Sequence, residues 1–248
     1  MNQFVHLHSH TDLSLQDGVS KIEDMVLKAK SLGQPALALT DHGYLHGAVE
    51  FYGKCKEHNI KPIIGVEAYI CKGLHTEKNE LNKEANHIIL LCESEIGYKN
   101  LLKLMSIAAT EGFYYTPRIS WDLLKTYNEG LILSTACLNG EFTSHLFDSK
   151  DKNRQVNLTK AGEVLEKYNS VFKNRLYAEI MYHGIEVQAQ ANTNAIRVAN
   201  DLKIPIIVTN DCHYANYGDG DLRDIMLADR CQQHINDPNR KLKDTEGQ

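Results

Sequence analysis

What most restricts the fold of this chain is a rhythm: a short apolar run, then an amphipathic stretch, repeated along its length. The runs are Phe4–His8, Ala36–Thr40, Pro62–Val66, His87–Cys92, Leu131–Ser134, Leu176–Met181 and Ile206–Thr209. They are near-continuous rather than alternating, as expected of parallel strands buried on both faces. Helical patterns lie between them, near 47–58, 97–110, 121–127, 157–168 and 186–202. A further helix follows Ser20-Lys-Ile-Glu23, which has the form of a capping box, and Gly33 supplies its stop. Strands alternating with helices predict an α/β fold, a closed or nearly closed parallel barrel, with an open doubly wound sheet as the competing arrangement. At 248 residues the chain is one large domain or two small ones, and α/β barrels often use this length for one. No G-x-G-x-x-G follows the first run and no Walker A motif occurs, so nucleotide-fold versions lack support. The polar segment 72–86 reads as a surface loop.

The remaining composition narrows the function. The longest apolar run is Ile88 to Cys92, far short of the roughly 20 residues a membrane span needs. Met-Asn-Gln-Phe-Val-His at the N-terminus has neither the basic nor the apolar region of a secretory signal. The 6 cysteines are scattered with no C-x-x-C pair, which suits reduced thiols in the cytoplasm. The net charge of −5 argues against a free-standing module that grips nucleic acid by phosphate neutralisation alone. Such contact is expected to be weak, to run through metals, or to be helped by other chains.

The chain carries 12 His against 6 Phe and 5 Met. In parallel α/β folds chemistry collects at the carboxyl ends of strands. There stand His8-Ser-His10-Thr with Asp17-Gly18, Thr40-Asp41-His42-Gly43, Gly65-Val-Glu67, Ser134-Thr-Ala-Cys137 and Thr209-Asn-Asp211-Cys-His213. Each motif alone has an ordinary reading: a polar strand end, a helix cap, a small core thiol. Glu67, in an apolar context, needs a partner for its charge. Their joint occurrence at strand ends points to a site for a borderline divalent metal, which takes imidazole, carboxylate and thiolate. His87 fits less well, because it begins its run. Asp41 is expected to orient an imidazole. Arg118, Arg223 and Lys72 are candidates for phosphate contacts, with a solvated charge as the plain alternative. His58, His75, His145 and His234 are expected to be solvated.

These residues carry a resemblance. His8-Ser-His10-Thr, Leu39-Thr-Asp-His42-Gly, Ile63-Ile-Gly-Val-Glu67 and Thr209-Asn-Asp211-x-His213-Tyr resemble the signature motifs of the PHP (polymerase and histidinol phosphatase) superfamily. Phe4-Val-His-Leu-His, Asp17-Gly18, the run from Thr40 to Tyr69, Gly112-Phe-Tyr, Pro117-Arg118 and Ala136-Cys137 are similar to the PHP domains of bacterial replicative DNA polymerase III alpha subunits. The resemblance covers essentially the whole chain, down to Asp237-Pro-Asn-Arg240, and implies a single PHP domain over residues 1–248.

The resemblance implies a distorted (β/α)7 TIM-like barrel and a cluster of two or three divalent metal ions, of zinc, manganese or iron. Carried over motif by motif, the ligands are His8, His10, Asp17, His42, Glu67, His87, Cys137, Asp211 and His213, with Asp17, His42 and Asp211 also catalytic. The implied activity is metal-dependent phosphodiester hydrolysis: a 3′–5′ exonuclease that acts on a single-stranded DNA 3′ end and proofreads in replication. The implied partners are the polymerase III catalytic region or other replisome subunits, with no membrane. The polymerase aspartates of such proteins lie beyond the PHP domain, so no polymerase activity is expected of a chain that stops at Gln248. The competing functions are a small-molecule phosphatase of the histidinol phosphatase type and a non-catalytic, metal-stabilised scaffold for the polymerase.

Overall fold

Ile22, Met25, Val26 and Ala29 recur at helical spacing and are all buried, which makes Ile22–Ser31 the first helix, α1, of the computed structural model. That structure describes residues 4–149 and 154–242; the ends of the expected domain, 1–3 and 243–248, lie outside the described residues. α1 is followed by β1 (Ala36–Leu39), α2 (Ala48–Glu57), β2 (Lys61–Ile70), β3 (Asn86–Cys92), α3 (Glu95–Thr110), β4 (Phe113–Tyr114) and β5 (Thr116–Ile119). Then come α4 (Trp121–Thr126), β6 (Leu131–Ser134), α5 (Leu158–Phe172), β7 (Leu176–Met181), α6 (Glu186–Asp201), β8 (Ile206–Thr209) and α7 (Gly220–Arg230). Among the described residues no helix is long and apolar enough to cross a membrane.

The chain forms two compact units. The first comprises residues up to 41, 46–64 and from 210 onward. In it β1 pairs in parallel with the opening residues of β2, from Ala36↔Lys61 to Leu39↔Ile64. Its core is Ile22, Met25, Val26, Ala29, Leu37, Leu39, Phe51, Cys55 and Ile60. Burying nine apolar side chains at roughly 1.5–3 kcal/mol for each large one holds α1, β1 and α2 together. Gly33 closes α1 at φ +67, where a side chain would be strained, and its N–H reaches Lys30 O at 3.0 Å. The expected capping box does not form. Lys21 occupies the N-cap, and the Ser20 hydroxyl instead accepts the Ala215 N–H at 2.7 Å.

The second unit, 42–45 and 65–209, holds a sheet ordered β4-β5-β2-β3-β6-β7-β8. β3 runs antiparallel to both β2 and β6, whereas β6–β7 and β7–β8 are parallel. The sheet is therefore mixed rather than all parallel. Near-continuous apolar runs signal burial on both faces but not strand direction. The leading run Phe4–His8 is extended without being a strand; it is tied by Ala38 N to His6 O at 2.9 Å. β4 and β5 form an unexpected hairpin, and α7 was also not marked by the periodicity. The core here is built on Val66, Ile88, Leu90, Leu101, Leu104, Leu133, Leu165, Phe172 and their neighbours. α3 starts at Ser94, whose hydroxyl accepts Gly97 N at 3.2 Å.

Candidate metal centre

The first unit brings five of the expected ligands together through one backbone device. Ser9 and Cys212 form a parallel bridge, with His10 N donating to Cys212 O at 2.7 Å and Cys212 N to His8 O at 3.2 Å. The residues flanking each bridge position are i, i+2 pairs, and in extended backbone such pairs project to one side. His8 and His10 thus face Asp211 and His213. His8 Nε2 and His10 Nε2 lie 3.1 and 3.2 Å from Asp211 Oδ1. The His10 and His213 rings stack at 4.6 Å. Asp211 adopts φ +45, a left-handed conformation that bends the chain just after β8.

All of these groups are buried. Burial pushes the His213 imidazole down to about 3, so it stays neutral and able to donate its lone pair at neutral pH. His213 Nε2 is 3.4 Å from Asp17 Oδ1. Asp17 is held in turn by Arg223 Nη2 and Arg230 Nη1, each at 3.0 Å, with Arg223 Nε donating to its backbone oxygen at 3.3 Å. Each carboxylate oxygen has a second lone pair, so this clamp positions Asp17 and still leaves it accepting capacity. Asp41 acts one step further back than expected. It accepts Thr11 N at 2.7 Å, Thr11 Oγ1 at 2.8 Å and Ser14 Oγ at 2.8 Å, and Ser14 Oγ meets His10 Nδ1 at 3.0 Å.

The second unit brings the other four together. Gly43 N donates to Glu67 O at 2.9 Å, which sets His42 beside β2. Gly43 takes φ +67 and packs so tightly that a Cβ would stand 2.6 Å from Pro117 Cγ. Glu67 was expected at the end of its strand, but β2 continues to Ile70 and encloses it. Its carboxylate is bracketed by two imidazoles: Oε2 to His42 Nδ1 at 2.8 Å and Oε1 to His87 Nδ1 at 2.7 Å. Cys137 Sγ lies 3.7 Å from Glu67 Oε1 and 3.6 Å from His87 Nδ1. Tyr69 stacks on His42 at 5.9 Å.

The donor sets suit a divalent ion. His8, His10 and Asp211 offer ligand atoms within 4.8 Å of one another, and so do His42, Glu67 and His87. A mixture of imidazole and carboxylate at such spacing, out of bulk water, matches the preference of borderline metals.

Three residues were misjudged or missed from sequence. Arg118 is fully buried and donates to the carbonyls of Gly112, Asn82, His75 and Glu77 at 2.6–3.1 Å, so it pins the 72–86 segment rather than meeting phosphate. Arg223 is likewise buried against Asp17. Glu179, inside the apolar run of β7, accepts Ser134 Oγ, Ala136 N at 3.1 Å and Thr209 Oγ1 at 2.5 Å. It thereby fixes the turn, with Ala136 at φ +59, that presents Cys137. A carboxylate amid apolar neighbours was the available signal.

An α/β scaffold with a buried histidine–carboxylate grouping in one unit and a partly buried one in the other defines the class: a protein with candidate divalent-metal sites. The PHP domain model matches residues 6–183, and the chain belongs to that family. DNA polymerase III subunit alpha of Borreliella burgdorferi is 40% identical over 246 residues, covering 98% of this chain and 21% of the relative. The Campylobacter jejuni subunit is 40% identical over 244 residues, covering 97% and 20%. The chain thus spans about a fifth of the length of these relatives. Among solved structures, a provisionally assigned metal-dependent phosphoesterase from Bifidobacterium adolescentis superposes with TM-score 0.55 at 13% identity, covering 86% of this chain and 88% of that one. An amidohydrolase from Chromobacterium violaceum gives 0.52 at 13% identity, covering 85% and 87%. At that identity the likeness speaks for the shared α/β PHP fold.

Proposed function

We propose that the chain is the PHP domain of a DNA polymerase III alpha subunit and that it hydrolyses phosphodiesters, removing nucleotides from a single-stranded DNA 3′ end as a 3′–5′ proofreading exonuclease. The observation that carries the reading is the bracketing of Glu67 by His42 and His87, 2.8 and 2.7 Å away, inside a chain about 40% identical to such subunits. The proposed ligands are His8, His10, Asp17, Asp211 and His213 from the first unit and His42, Glu67, His87 and Cys137 from the second, with Asp17, His42 and Asp211 also serving the reaction. Bound divalent ions would supply Lewis-acid polarisation of the phosphate and a lowered pKa for attacking water. The chain's own groups do the rest. Burial keeps His213 neutral. The Asp41–Ser14 link holds the His10 ring. Arg223 and Arg230 hold the Asp17 carboxylate in place.

The test is release of mononucleotides from a labelled single-stranded oligonucleotide, beside hydrolysis of histidinol phosphate, by wild type and Asp211→Asn with added zinc, manganese or iron. Nucleotide release that Asp211→Asn abolishes supports the reading. Turnover of the monoester alone would make the chain a small-molecule phosphatase. Metal uptake without turnover of either substrate would leave a metal-stabilised scaffold.

A further inference from the structure

Beside His87 the second unit opens into a cavity of about 1070 Å³, lined among others by Lys72, Glu84, His145, Arg154 and Lys160. That volume exceeds the roughly 300–1,000 Å³ of ordinary small-molecule pockets. Its cations come from three separate segments: the stretch after β2, the approach to α5, and the first turn of α5. Burial lowers the His145 pKa, Glu141 raises it, and Lys160, Arg154 and Lys72 lower it, so charges of both signs reach this space. Arg154 is held in place, donating to Leu138 O at 3.1 Å with its guanidinium 5.3 Å from the Phe147 ring centroid. The opposing Glu141 already has its charge answered by Lys167 at 2.7 Å and by the Tyr168 hydroxyl at 2.6 Å. Glu84 also acts on Arg154, and Lys160 Nζ lies 2.8 Å from the exposed Glu163 Oε2, so the three cations line the cavity against two carboxylates, Glu84 and Glu141.

We infer that this cavity takes the phosphodiester backbone of a single-stranded nucleic acid, on the flank of the His42–Glu67–His87 grouping. The inference rests on the proposed hydrolysis for its substrate class and adds where the unreacted strand lies. A small phosphomonoester at His87 would leave the cavity unfilled; a strand of successive phosphates would meet Lys72, Arg154 and Lys160.

The experiment is fluorescence anisotropy of a labelled ten-nucleotide oligothymidylate with the 248-residue chain, in chelator so that no hydrolysis occurs. Lys72→Glu/Lys160→Glu is compared with Lys99→Glu/Lys125→Glu, which makes the same charge change on the exposed surfaces of α3 and α4. The cavity pair is expected to raise Kd about tenfold or more and to flatten the slope of log K against log salt by about 1.4, at roughly 0.7 per lost phosphate contact. The control pair should stay within about twofold. Equal losses in both pairs, or no binding by wild type, would overturn the inference. The proposed hydrolysis is read separately with metal present, on the 3′-labelled strand. Its absence with Lys72- and Lys160-dependent binding intact would remove the catalytic reading and leave the binding site standing.

Discussion

His87 Nδ1 stands 2.7 Å from Glu67 Oε1, although the two residues lie on strands that run in opposite directions. The register pairs Tyr69 with His87 and Glu67 with Ile89, so His87 sits diagonally across from Glu67 on the same face of the sheet. A residue that opens an antiparallel strand lies beside the later part of its neighbour. That is how a histidine at the wrong end of its apolar run joins the others.

The first prediction follows from this pair. Glu67→Gln keeps the size of the side chain and removes the negative charge between His42 and His87. Divalent-metal affinity should fall about tenfold or more, since even indirect partners of ligands are worth 10–100-fold. Elemental analysis after dialysis against a weak chelator should show fewer bound ions per chain than wild type. An unchanged metal content would remove Glu67 from the ligand set.

Asp41→Asn tests the other grouping at one remove. All three contacts of Asp41 in the Thr11–Ser14 turn are accepted ones, and an amide, neutral and with a single acceptor oxygen, would hold Thr11 and Ser14 less firmly than a carboxylate does. Ser14 would then lose its place beside His10 Nδ1. Metal affinity should drop by about 10–100-fold, and Ser14→Ala should reproduce much of the loss. Competition with a chromogenic chelator measures both.

Much of this was legible in the sequence. The helices near α2, α3, α4 and α6 start and end within about two residues of their expected bounds, because burial on one face dictates their spacing. The i, i+2 pair His8/His10 could be placed from extended geometry, whereas the left-handed bend at Asp211 before His213 could not. Strand direction could not, because β3 is as apolar as a parallel strand. Nor could the roles of Arg118 and Arg223. A buried arginine and a phosphate-binding arginine share one symbol, and only the carbonyls around Arg118 distinguish them.

Those carbonyls make a stability prediction. Arg118→Leu would leave the Asn82, Gly112, His75 and Glu77 oxygens short of a donor in a buried setting. At roughly 1–3 kcal/mol for each buried group left unsatisfied, and with some of them reaching water, a loss on the order of 3 kcal/mol or more is expected. Urea unfolding followed by circular dichroism checks it. Stability within about 0.5 kcal/mol of wild type, the range of an ordinary surface change, would return Arg118 to the surface role first expected of it.

The cysteines give a prediction with a definite pH window. Burial pushes the Cys55 and Cys92 thiols up from 9.0 to about 12. Once the chain unfolds, both should titrate near the ordinary value. Below pH 9 neither state ionises, and the stability they allow is fully present. Between about pH 9 and 12 the unfolded chain releases these protons and the folded chain retains them, so stability must fall as pH rises. Cys55, wholly buried against Phe51 and Ile60, should account for up to about 1.4 kcal/mol per pH unit. Half-buried Cys92 should give less, because water screens it. Urea midpoints for the wild type should therefore drop more steeply from about pH 8 to 10.5 than those of Cys55→Ala, whatever the cavity in that variant does to its stability at pH 8. Equal slopes would mean that Cys55 ionises in the folded chain. In that case it should also react with iodoacetamide under native conditions, whereas a thiol held at about 12 in the core should not.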